Sequence, residues 1–197
     1  MIDKPINSCS RESCNNCNIH FEITCHFSRR KLLRFYVIGL PSFMIGGIVI
    51  YNYSITGFVS WVTGIGLFFL LIGIRVLCTH CPHYNESSYI LRCWANYGVP
   101  KLWRFRAQPM NFFEKAILIS GFIFVWGYPI IFISLTNNWI LLGGYFFSVV
   151  LYFILMYQFN CIKCINLSCP LNRVNIKVKE EFLKNNPLIN DSWKKLR

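Results

Sequence analysis

Phe58-Val-Ser-Trp61-Val-Thr-Gly-Ile-Gly-Leu-Phe-Phe-Leu-Leu-Ile-Gly-Ile74 carries no charge, and through Arg75-Val-Leu it runs directly into Cys78-Thr-His-Cys81-Pro-His83. A bilayer core takes about 20 helical residues to cross. The run therefore predicts a membrane span whose end delivers two thiols and two imidazoles to a water-facing surface. Arg75 does not interrupt it, because a long basic side chain near a span end can extend its charge to the interface. Three other stretches have the same character: Phe35 to Tyr53, Ala116 to Leu135 and Trp139 to Phe159. The last ends on Cys161-Ile-Lys-Cys164, with Cys169-Pro170 close behind, so two spans end in the same way.

Composition agrees. Of 197 residues, 54% are apolar and 17% aromatic, while only 14% are charged, which is unusual for a water-soluble domain. The expected fold is all-α: a polytopic membrane protein with four transmembrane helices arranged as two hairpins, bearing cysteine-rich cytoplasmic segments. In chain order these are a Cys/His-rich N-terminal segment (1–31), hairpin 1 (32–78), a cysteine, aromatic and basic loop (79–115), hairpin 2 (116–160) and a cysteine motif with an amphipathic tail (161–197). The first thirty residues are polar, so no cleavable signal peptide is expected.

Charge sets the expected orientation. All twenty Lys and Arg fall within residues 1–34, 75–115 and 163–197, and neither short turn, near Asn52 or Asn137, holds one. By the positive-inside rule these three segments face the cytoplasm of an inner membrane. The net charge of +12 is then accounted for by anionic lipid head groups, and a nucleic acid partner is not needed. Basic and aromatic residues from Cys93 to Arg106 read as an interfacial segment, and Trp193 beside Lys194 and Lys195 as another surface contact. Tyr53 and Trp61 read as head-group anchors. Gly64, Gly66, Gly73 and the Gly143-Gly144 pair read as helix-packing positions. Asn111-Phe-Phe-Glu114 reads as a helix cap opening the third span.

Every cysteine and histidine falls on the same side. The N-terminal segment holds Cys9, Cys14, Cys17, His20, Cys25 and His26, with too few large apolar residues for a core of its own, so metal binding is one means of ordering it. Cytosolic cysteine clusters are more often metal ligands or redox thiols than disulfides. Two cysteines three apart at a helix end can both reach one ion. Cys78, Cys81, Cys161 and Cys164 are thus a possible four-thiolate site. Cys93, Cys169, His80, His83 and the N-terminal Cys9, Cys14, Cys17 and Cys25 complete the candidate ligands. Zinc and iron-sulfur both accept such a set. Cys161-Ile-Lys-Cys164-Ile-Asn-Leu-Ser-Cys169-Pro170 resembles an abbreviated bacterial ferredoxin motif, with Leu167 where the third cysteine would stand.

The spans hold no Asp, Glu, Lys or His near the bilayer centre, which disfavours an ion-coupled transporter. No phosphate loop, nucleophile elbow or zinc-protease motif is present. The sequence therefore points to a membrane protein that binds zinc or iron-sulfur through cytoplasmic cysteines and anchors, assembles or exchanges electrons with a cytosolic partner. The alternatives are a membrane thiol-disulfide oxidoreductase, with quinone as acceptor, and a structural subunit of a membrane complex. The amphipathic tail is expected from Asn172 to Asn185, with Val174, Val178 and Phe182 on one face and Pro187 ending it.

Overall fold

The computed structural model describes residues 5–14 and 17–195. Four of its helical stretches, Arg29–Tyr53, Ile55–His80, Phe112–Leu135 and Trp139–Lys163, are long and apolar enough to cross a membrane. Their regular α-helical parts are α1 (Arg29–Tyr53), α2 (Ile55–Leu67), the short α3 (Gly73–Val76), α4 (Phe112–Leu135) and α5 (Trp139–Phe159). A π-helical turn, Phe68–Ile72, joins α2 to α3. Asn111 and Glu114 form the expected reciprocal cap at the start of α4. Val37, Leu40, Ile48, Ile123, Phe146 and Phe147 are exposed on the outer faces, the composition that a lipid environment requires.

Helix α1 packs against α2, α4 and α5. The interior is aromatic: Trp126 lies 4.7 Å from Phe43 and 4.9 Å from Tyr152, centroid to centroid. Backbone carbonyls of α4 accept from its neighbours, Trp61 Nε1 donating to Val125 at 3.1 Å and Tyr145 Oη to Trp126 at 2.8 Å. Such bonds across helices are worth roughly 0.6 kcal/mol each in a membrane. Trp61 is thus a buried packing residue, not the head-group anchor its position suggested. Gly121 accommodates the Phe68 ring, which would overlap any Cβ placed there. Gly143 and Gly144 face open space and mark no helix contact, contrary to expectation.

Short elements complete the fold. The chain is not purely helical: β1 (Ile90–Arg92) and β2 (Tyr97–Pro100) form an antiparallel ribbon with Ile90 opposite Pro100 and Arg92 opposite Tyr97. The β-branched and aromatic residues of this stretch support it, and Gly98 supplies a φ of +83°. The tail forms α6 (Ile176–Lys184) and α7 (Pro187–Lys194). Val178 and Phe182 are buried as their spacing predicts. Pro187, expected only as a terminator, opens α7, where its missing N–H costs nothing.

The N-terminal segment was expected to lack a core of its own. It shares one instead: Ile6, Ile19 and Ile23 are buried with Cys81, Ile165, Leu167, Val178, Phe182 and Ile189. Trp193 packs against the same cluster and donates Nε1 to the Ala107 carbonyl at 3.1 Å, so it closes this core and is not a free surface contact. The N-terminal segment, central loop and tail therefore meet at one end of the bundle.

Candidate metal centre

The two Cys-x-x-Cys motifs have nearly the same backbone. Leu77 before the first has φ −109°, ψ −53°, and Asn160 before the second has φ −115°, ψ −49°. Each is followed by one 3-10 turn, Cys78–His80 or Cys161–Lys163, and then by an extended cysteine, Cys81 at −89°, 134° and Cys164 at −80°, 127°. The second cysteine's N–H donates to the first cysteine's carbonyl in both, at 2.9 Å and 3.4 Å. Pro82 enforces the exit in the first motif, since it cannot continue the preceding turn.

Hydrogen bonds hold the two motifs together. Asn166 Nδ2 donates to Leu77 O at 3.0 Å, and Asn172 Nδ2 to Cys164 O at 2.8 Å. Thr24 N donates to Lys163 O at 2.7 Å, forming a parallel bridge beside Cys164. Met110 N donates to Ser168 Oγ at 2.5 Å.

Five thiols surround Cys164, making a group of six: it is close enough to Cys78, Cys81, Cys93, Cys161 and Cys169 for its charge to act on each. N–H groups point at the sulfurs. His83 N–H donates to Cys81, Ala95 and Asn96 to Cys93, Asn166 to Cys164, and Leu171 and Asn172 to Cys169. The Asn96 N to Cys93 Sγ distance is 3.2 Å, and Asn96 Nδ2 lies 3.6 Å from Cys78 Sγ. Trp94 donates its side-chain N–H to Cys164. Donors of this kind favour the thiolate that a metal ligand must be. Burial acts more strongly the other way, pushing Cys93 up to about 11, Cys169 up to about 12, and Cys81 and Cys164 above the ordinary thiol value.

No family model, curated protein or solved structure matches this chain.

Four further thiols form a separate group. Cys9, Cys14, Cys17 and Cys25 line one cavity in the N-terminal segment, together with His20. His26 Nε2 lies 3.4 Å from Cys14 Sγ, a contact that sequence spacing did not reveal. Among the described residues, no three Cys, His, Asp or Glu side chains in either group converge closely enough to hold an ion as they stand.

Two sequence candidates have other partners. His80 Nδ1 lies 2.6 Å from Gln108 O. Its Nε2 lies 3.1 Å from Glu114 Oε2, an ion-pair distance without the alignment of a directed hydrogen bond. His83 is buried against the Thr24 carbonyl, and burial lowers its pKa to about 4. Both imidazoles thus point to structural neighbours. Glu114 also holds Arg106 Nη1 at 2.5 Å, and Arg106 Nη2 donates to Arg75 O at 2.8 Å. This Arg106-Glu114-His80 network fastens the central loop to two span ends; only the capping role of Glu114 was legible beforehand.

Proposed function

We propose that this is a four-span inner-membrane protein, built as two hairpins, whose cysteine-rich end faces the cytoplasm and holds a thiolate-bound metal centre, zinc or iron-sulfur. The observation that carries this reading is the meeting of Cys78, Cys81 and Cys93 with Cys161, Cys164 and Cys169, four of them supplied with backbone N–H donors. The chemistry favours soft, thiophilic metals. The one-sided Lys and Arg distribution supports the orientation. A metal centre at a membrane surface suits anchoring, assembly of, or electron exchange with a cytosolic protein, and anionic lipids suit the basic segments around it.

A dithiol oxidoreductase is the competing reading. It needs a reactive thiol with a lowered pKa, and burial moves Cys81, Cys93, Cys164 and Cys169 in the opposite direction. The test is elemental analysis and the visible spectrum of anaerobically purified protein beside its Cys164→Ser variant. Iron or zinc lost specifically from the variant is expected, with iron-sulfur alone adding visible absorption. Equal metal in both, or none in either, overturns the proposal.

A further inference from the structure

The four N-terminal thiols surround a cavity of about 30 Å³. That space takes a single ion or one or two waters. Its walls come from two distant parts of the chain: the N-terminal segment provides Cys9, Cys14, Cys17 and Cys25, and α6 with the turn after it provides Phe182, Asn185 and Asn186. Local turns set the cysteine backbone, with Cys9 N donating to Ile6 O at 2.9 Å and Cys17 N to Cys14 O at 3.2 Å. Apart from the bridge at Thr24, the described residues ahead of α1 form no strand or helix. Cross-chain bonds hold the segment to the tail: Ser8 Oγ to Asn186 Oδ1 at 2.8 Å, Ser10 N to Asn185 O at 2.8 Å and Arg11 Nε to Asn185 Oδ1 at 3.0 Å.

We propose that Cys9, Cys14, Cys17 and Cys25 bind one Zn²⁺ in this cavity, and that the ion ties the N-terminal segment's own turns together in the shape that packs against α6. Four soft donors around a space for one ion match a closed structural zinc site. The thiols line the cavity without converging, so binding draws them inward, a change that a segment held by turns and loops permits. Four Zn–S bonds form as four S–H protons leave to solvent, giving a unit of net charge −2. Arg11 lines the same cavity, its guanidinium reaching Glu181 at 3.5 Å. The site is independent of the six-thiol centre, sharing no ligand with it.

The test uses full-length protein in detergent, made metal-free under reducing conditions and titrated with Co²⁺ alone, then Zn²⁺ alone. The expected result is a tetrahedral Co²⁺-thiolate absorption of which Cys14→Ser with Cys17→Ser removes one ion's share, a share that Cys81→Ser with Cys164→Ser leaves in place. Thiol alkylation mapped by mass spectrometry keeps the question open to test on the unaltered chain if a variant fails to fold. Zn²⁺ is expected to shield Cys9, Cys14, Cys17 and Cys25 together. Undiminished alkylation of these four, or a Co²⁺ absorption that Cys14→Ser with Cys17→Ser leaves undiminished, overturns the proposal. Because the two thiol groups are read separately, failure here leaves the six-thiol reading untouched.

Discussion

In the helical bundle, partners meet along whole helix faces, as Phe68 does against Gly121 and Trp126 against Tyr152. At the cysteine-bearing end, contacts are made one residue at a time by segments far apart in sequence; Ser8 reaches Asn186, 178 positions away. The first arrangement needs only apolar surface and close fit. The second has a small apolar core, many single hydrogen bonds and all ten thiols. The difference implies that the two regions can be perturbed separately.

The largest expected effect comes from Cys164→Ser. It removes the thiol shared by all five neighbours and should release most of the metal of the six-thiol centre while far-ultraviolet circular dichroism of the helices is unchanged. Loss of helicity together with metal would show that the regions do not separate. Phe182→Ala should cost the cysteine-bearing end about 3–5 kcal/mol, since it empties the centre of the shared core. Hydrogen exchange should quicken in residues 5–28 and 165–189 and stay slow in the spans; acceleration everywhere would join the regions into one cooperative unit.

Gly121→Ala tests the bundle alone. The added methyl meets the Phe68 ring and should destabilise by about 1–3 kcal/mol in thermal unfolding, with metal content unchanged. Glu114→Gln sits at the junction. Removing its charge from between Arg106 and His80 should cost about 1 kcal/mol and loosen residues 103–111 in hydrogen exchange. Gly143→Ala, which meets nothing, should shift the unfolding temperature by an amount corresponding to less than about 0.5 kcal/mol. A larger effect would reveal a neighbour for that surface, such as a second chain.

What could be read in the sequence follows the same division. A span announces itself through a run of apolar residues, so four helices and the Asn111-Glu114 cap were legible. Which side of each helix faces inward was not, because nearly every position is apolar and periodicity is lost; Trp61 and Gly143 were misjudged for that reason. At the other end, the thiols stood out by type, and their gathering on one face by charge. Their division into four and six depends on loop geometry that spacing does not encode. His80 and His83 looked like ligands because they flank Cys81, yet their rings turn toward Gln108, Glu114 and Thr24.

The hydrogen bond from Trp193 to Ala107, with the seating of Ile6 and Ile19 on α6 and α7, makes this end a long-range assembly. Residues 5–28 can be seated only once α6 and α7, far along the chain, are in place. Until then Cys9, Cys14, Cys17 and Cys25 lack the wall that Phe182, Asn185 and Asn186 supply.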